Sequence, residues 1–137
     1  MTIQSIYVNL PVRDIQKTRA FWSRLGFSFN SQFSNDQALC LELNPPVIYL
    51  MLLQDDFFKT FTDRPVANGA ATEVLNAIQV ESRERVDDLV RLAVEGGARR
   101  YTEAKDYGWM YSDNFEDPDG HQWEIMFADA SKFPEIQ

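Results

Sequence analysis

The chain holds one cysteine in 137 residues, Cys40, so no intrachain disulfide can form. A reducing compartment is the natural setting for such a chain. Positive charge is also scarce. The 13 Lys and Arg face 21 Asp and Glu, for a net charge of -8. Such a surface repels phosphate backbones and anionic lipid, which excludes a nucleic-acid partner and a partner membrane surface. No apolar run approaches the ~20 residues that cross a bilayer. Met1 to Ser5 lack a basic stretch leading into an apolar one, so no signal peptide is expected and the expected location is cytoplasmic. Histidine is single, His121, and no Ser/His/Asp arrangement for nucleophilic catalysis can be assembled. What is plentiful is apolar and aromatic material: 45% and 13% of residues, enough for the core of one domain of ordinary composition.

Taken in order, the chain begins with an alternation. Ile6, Val8, Leu10 and Val12 share one face over Ile6 to Val12, which predicts a strand. Asp14 stands at an N-cap position. Ile15, Thr18, Phe21, Trp22 and Leu25 then recur at helical spacing, and Gly26 is the residue that ends the helix. Phe27 to Phe33 and Ala38 to Leu43 read as strands. Asn44-Pro45-Pro46 is a turn, and Val47 to Leu53 is a strand apolar on both faces, hence central. Phe57, Phe58 and Phe61 have the spacing of a short helix, and the segment from Asp63 to Thr72 is a loop.

The same order then returns. Val74 to Val80 is a strand, Ser82 an N-cap, and Val86, Leu89, Val90 and Val94 a helical stripe ended by Gly96-Gly97. Arg99 to Glu103 and Tyr107 to Asn114 read as strands. Asp14 and Ser82 stand 68 residues apart, as do the strand pairs Leu10/Val12 and Ile78/Val80. Each half is therefore strand, helix, three strands. The expected fold is α+β: two βαβββ repeats forming paired curved mixed sheets around a cavity. The domain is expected over 3–128, with halves of about 3–54 and 73–128 and a loosely held tail over 129–137.

Asp117-Pro118-Asp119-Gly120 is a tight turn with a mechanism, because Pro118 presets φ and Gly120 accepts a left-handed backbone. In the strand beyond it, Trp123, Ile125 and Phe127 fall on one face. Gln122, Glu124 and Met126 fall on the other. His121 is in phase with Trp123 and not with Glu124, so the two should not converge on one ion. Glu124 is thus a carboxylate among apolar neighbours, and a candidate general base that needs no metal. Trp109 and Tyr111 share a strand phase and are read either as an aromatic wall for a ligand or as plain core. Arg99-Arg100 reads as a small basic surface spot, and Cys40 as a core residue.

Three features in this order carry a resemblance: Val8-Asn9-Leu10-Pro11-Val12-Arg13-Asp14, Phe21-Trp22-Ser23-Arg24-Leu25-Gly26-Phe27, and Asp117-Pro118-Asp119-Gly120-His121 with Glu124. Over almost its full length the chain resembles the vicinal oxygen chelate superfamily, which includes glyoxalase I, bleomycin-resistance proteins and extradiol dioxygenases. It looks most like the bacterial branch labelled lactoylglutathione-lyase-related. The resemblance implies a divalent metal held by His, Gln or Glu from four strands. Carried over, its first ligand lands on Tyr7, seven residues before the capping Asp. The second-half equivalent lands on Leu75, the fourth-strand ligand on Leu50 or Met51, and the last on Glu124. Only Glu124 is a family-type ligand, so the pattern implies no resident metal cofactor.

Two functions from different classes follow. One is a binding protein whose cavity, lined by Tyr7, Asn9, Met51, Trp109, Tyr111 and Glu124, holds a small-molecule ligand. The other is a lyase, isomerase or dioxygenase in which Glu124 is catalytic, with a non-standard metal arrangement or none. Glyoxalase I activity is not expected, because the label rests on fold and not on the site. The resemblance also implies a homodimer.

Overall fold

The computed structural model describes residues 1–134. The fold is α+β, with two four-stranded mixed sheets in two compact units, one over Met1–Ala67 and one beginning at Asn68.

The first unit runs β1 (Asn9–Val12), α1 (Ile15–Arg24), β2 (Ser28–Phe29), β3 (Ala38–Asn44), β4 (Ile48–Gln54) and a short α2 (Asp55–Phe58). The sheet order is β1-β4-β3-β2, with β1 and β4 parallel and the other pairs antiparallel. Helix α1 starts where its sequence says it should. The Asp14 carboxylate accepts from the Gln16 and Lys17 N–H groups at 3.0 and 3.2 Å. These are two of the donors that a helix start leaves unpaired. Gln54 locks that start to the sheet: its Oε1 accepts from the Ile15 N–H at 2.9 Å. Gly26 follows the helix at φ 93°, a left-handed backbone that costs glycine little. Ile15, Thr18, Phe21, Trp22 and Leu25 are all buried. The helix packs on β3 and β4, where Leu39, Leu41, Leu50 and Leu52 are buried. Strand β4 is central, as its two apolar faces predict. Leu50 and Leu52 point toward α1, and Leu53 is buried on the other face.

The second unit repeats the plan: β5 (Leu75–Gln79), α3 (Arg83–Glu95), β6 (Lys105–Asp106), β7 (Met110–Glu116) and β8 (Gln122–Ala128). Its order, β5-β8-β7-β6, and its strand directions are those of the first sheet. The Ser82 hydroxyl caps α3 by accepting from the Arg85 N–H at 3.1 Å. The helix lays Val86, Leu89, Val90 and Ala93 on β7 and β8, against Phe115, Trp123 and Ile125. Phe115 and Trp123 pair across the strands with ring centroids 6.4 Å apart.

Several elements differ from the sequence reading. Residues before Asn9 are not strand, and Ile6 is 81% exposed. Phe27 to Phe33 does not stay extended. After Phe29 the Asn30 carboxamide caps a 3-10 turn over Ser31–Phe33, a local hydrogen-bonding option that competes with the ladder. Arg99 to Glu103 forms only an isolated bridge, Arg99 with Glu116, and pairing resumes at Lys105. The inner stripe of α3 takes Ala93, leaving Val94 47% exposed. The arginines of the basic spot are paired, Arg99 with Glu116 and Arg100 with the buried Asp113. The segment after β8 is not loose at its start: Asp129 caps a 3-10 turn over Ala130–Lys132, and Phe133 meets Trp109 edge-on at 5.6 Å. The rest of that expected tail, 135–137, lies outside the described residues.

Candidate functional site

Residues at alternate positions of a strand share a face, and directly paired residues share it across strands. In the first unit the row Asn9–Met51–Cys40 crosses the sheet on the face away from α1. Tyr49 lies on the same face, two residues before Met51. These side chains, with Tyr7, Asn30 and Phe33, line a cavity of about 490 Å³. Tyr7 is 70% and Phe33 60% exposed, so both stand at its mouth, while Cys40 is buried in its floor. Burial pushes the Cys40 thiol up, and the charge of Glu42 adds to the shift, so the sulfur is protonated at neutral pH. No Asp, Glu, Lys, Arg or His is among the lining side chains. The structure thus brings Tyr7, Asn9 and Met51, three of the six residues read as cavity lining, to one cavity. Alternation from Met51 and Cys40 was the signal for Tyr49. No local signal marked Asn30 or Phe33, which arrive through the 3-10 turn.

In the second unit the corresponding row is Ala77–Glu124–Asn114. Glu124 is half-buried on the face away from α3, as its phase predicts. Asn114 is buried beside it. Its Oδ1 accepts from the Tyr101 and Thr102 N–H groups at 3.0 and 3.1 Å, and its Nδ2 donates to the Thr102 carbonyl at 2.9 Å. This clamp holds the chain at Tyr101 over the Glu124 face. Tyr101 was not singled out by the sequence, because strand phase alone carries no sign of a long-range clamp.

The two aromatic residues expected in the cavity lining are placed differently. Tyr111 pairs with Phe127, so it shares the helix-side face with Trp123 and Ile125, opposite to Glu124. Its hydroxyl donates to the Asp87 carboxylate of α3 at 2.6 Å, and its ring lies under the Arg83 guanidinium at 5.0 Å. The hydrogen bond to Asp87, then burial, push its pKa up to about 12. Trp109 precedes the strand, and packs with Tyr107 and Phe133.

The turn before β8 is built on one buried carboxylate. Asp117 Oδ1 accepts from the Asp119 and His121 N–H groups at 2.9 and 3.0 Å, and Oδ2 from the Trp123 indole N–H at 2.9 Å. Gly120 sits at φ 87°, a turn position that favours glycine. His121 is half-buried and belongs to this turn.

The internal repeat locates the positions that the family's metal pattern needs. The pair Asn9/Met51 in one sheet corresponds to Ala77/Glu124 in the other. Met51, not Leu50, is therefore the counterpart of Glu124, and Tyr7 is that of Leu75. At these positions the first unit carries a phenol and a thioether, and the second an alkyl chain and a carboxylate. No group of three or more His, Cys, Asp or Glu side chains suited to a metal ion occurs among the described residues. No described helix is long and apolar enough to cross a membrane.

Comparison with solved structures finds this fold repeatedly. A hypothetical protein of S. aureus is 26% identical, with a TM-score of 0.80 over 93% of this chain and 96% of that one. The bleomycin resistance determinant encoded on transposon Tn5 is 19% identical, with a TM-score of 0.62 over 92% and 98%. The fosfomycin resistance protein FosX of Listeria monocytogenes is also 19% identical, with a TM-score of 0.66 over 100% and 97%. No curated protein matches by sequence. The sequence model of the Glyoxalase/Bleomycin resistance protein/Dioxygenase superfamily matches residues 4–125. Matched over nearly its whole length, and carrying the same strand order twice, the chain belongs to the glyoxalase/bleomycin resistance protein/dioxygenase superfamily.

Proposed function

We propose that this protein binds an uncharged, largely aromatic or apolar small molecule in the cavity of its first unit, without a family-type metal centre. The observation that carries the reading is the cavity itself: about 490 Å³, within the range of small-molecule sites, with no Asp, Glu, Lys, Arg or His in its lining. Tyr7, Tyr49 and Phe33 offer ring faces, Met51 an adaptable thioether, and Asn9 and Asn30 a few polar atoms to orient the guest. Buried charge would penalise an ionic ligand that found no counter-ion there. Two relatives of the same fold are named for resistance to bleomycin and to fosfomycin, which fits a scaffold that handles small molecules. The test is a thermal-shift titration of the full chain with indole and, as the charged control, indole-3-carboxylate. Indole should raise Tm saturably and the carboxylate should not. Met51→Trp, which fills the cavity, should abolish the shift. Equal responses to both compounds, or an unchanged response in Met51→Trp, would sink the reading.

A second reading is a lyase, isomerase or dioxygenase reaction using Glu124. It is favoured by one observation: this carboxylate holds the family's last ligand position and is half-buried beside Asn114. Metal analysis of protein supplied with Ni²⁺, Zn²⁺, Mn²⁺ or Fe²⁺ separates the readings. Stoichiometric metal lost in Glu124→Gln would replace the first reading with the second. The chain is further read as a cytoplasmic homodimer, which sedimentation equilibrium of the purified protein would test.

A further inference from the structure

Two carboxamides line the cavity of the first unit, Asn9 and Asn30, and they differ in what they can still offer a guest. The Asn30 Oδ1 accepts from the Gln32 and Phe33 N–H groups at 3.0 and 3.3 Å, which caps the 3-10 turn over Ser31–Phe33. That pairing fixes the amide. Its oxygen is committed to the turn, and what remains is the pair of N–H donors on Nδ2. No hydrogen bond from this Nδ2 occurs among the described residues. The backbone holds the group against the cavity floor. The Asn30 N–H donates to the Cys40 carbonyl at 2.9 Å, and the Ser34 hydroxyl accepts from the Cys40 N–H at 2.9 Å. Both ends of the turn are thus pinned to the buried Cys40. Asn9 stands on β1, at an edge of the sheet, and is less restricted. Its Nδ2 donates to the Tyr7 carbonyl at 3.4 Å, which leaves it one N–H and a carboxamide oxygen.

We propose that Asn30 is a donor-only specificity residue of this cavity, and that it selects a neutral aromatic guest whose carbonyl oxygen accepts from Asn30 Nδ2. This role rests on the first unit's cavity being the binding site proposed above. The rings of Tyr7, Tyr49 and Phe33 suit the aromatic body of the guest. A guest without an acceptor displaces water from the Asn30 amide and leaves its N–H groups unmet, and a guest that presents a donor meets a second donor there. A carbonyl replaces the lost water bond. Because one hydrogen bond is exchanged for another, the net preference is modest, about fivefold in affinity.

The test uses the 15N-labelled full chain and two compounds of one shape, acetophenone and α-methylstyrene, in which a methylene takes the place of the carbonyl oxygen. The Asn30 side-chain amide resonances are assigned as the pair missing in Asn30→Asp. Acetophenone should move them downfield saturably, and α-methylstyrene should not. Saturation-transfer titrations should give acetophenone a Kd about fivefold lower than that of α-methylstyrene. Asn30→Asp keeps a capping oxygen, because Asp and Asn cap about equally well, and removes the donor. Its Tm should stay near the wild-type value, and its preference for acetophenone should vanish or reverse. Three results overturn the proposal: Asn30 amide resonances unmoved by acetophenone, equal affinity for the two compounds, or a preference for acetophenone that survives in Asn30→Asp. The compound pair needs no altered protein, so it decides even if the variant folds poorly. Should indole raise Tm while any of those three results holds, the selection by Asn30 falls and the cavity reading stands. No response to indole, acetophenone or α-methylstyrene overturns both.

Discussion

Replacing Asp117 tests whether one carboxylate organises the turn that leads into β8. Asp117→Ala removes the acceptor of three hydrogen bonds, at 2.9, 3.0 and 2.9 Å. They are not equal in cost. Asp119 and His121 are half-buried, so water can reach their N–H groups. Trp123 is 1% exposed, and its indole N–H would be stranded. A stranded buried donor costs about 1–3 kcal/mol, and the two wetter bonds add a fraction each, giving about 3 kcal/mol in all. For a chain of this size that lowers Tm by about 10 °C. Asp117→Asn should cost nearly as much, because an amide that keeps its oxygen on the turn N–H groups turns its own donor toward the indole. The measurement is urea unfolding of the wild type, Asp117→Ala, Trp123→Phe and the double variant. Removing both partners of a bond is far cheaper than stranding one, so the double-mutant cycle should show a coupling of about 1.5–3 kcal/mol. Additive effects, within about 0.5 kcal/mol, would refute the hub. The same residue gives a pH signature. Burial raises its pKa in the folded state, against the opposing pull of His121 and the Trp123 indole. Between the unfolded value of about 3.9 and the raised folded value, the native state holds a proton that the unfolded state has released. This group's contribution to stability is therefore greatest below that window and falls as pH rises through it. Asp117→Asn should remove that slope.

Asp106 should behave in the opposite sense. The Arg83 guanidinium on both its oxygens, then the Gly108 N–H, bring its pKa down to about 2. Its contribution is thus present above the unfolded value of about 3.9 and lost as pH falls toward 2; carboxyl NMR titration of Arg83→Gln should return it to the ordinary range, and an unmoved titration would exclude the pair as the cause. The phase of α3 can be checked with two neighbours. Ala93→Leu should cost about 1–3 kcal/mol by overpacking, whereas Val94→Ser should stay within about 0.5 kcal/mol, read by chemical denaturation. Spectrophotometric titration near 295 nm should show one tyrosine at about 12 that moves down in Asp87→Asn, since Tyr111 donates to that carboxylate. Loss of no high-pH tyrosine in that variant would place Tyr111 elsewhere.

The sequence by itself determined what is written locally. Asp14 and Ser82 announce their helices because a side-chain oxygen within two or three residues decides whether the first N–H groups are met. Gly26 ends α1, alternation separates Glu124 from Trp123 and Ile125, and two apolar faces make β4 central. The doubled strand–helix order was legible for the same reason. Only the tertiary structure decided which residues meet across long separations. Alternation puts Tyr111 on one of two faces, but its pairing with Phe127 and its reach to Asp87 assign it to the helix side and take it out of the Glu124 face. Pairing register, not residue type, makes Met51 the counterpart of Glu124. The Asn114 clamp that holds the chain at Tyr101, and the 3-10 turn that brings Asn30 and Phe33 to the cavity, are hydrogen-bonding choices made against neighbours far along the chain or against the ladder itself. Local periodicity fixes the faces of each element; the contacts that turn a face into a site form only when the elements pack.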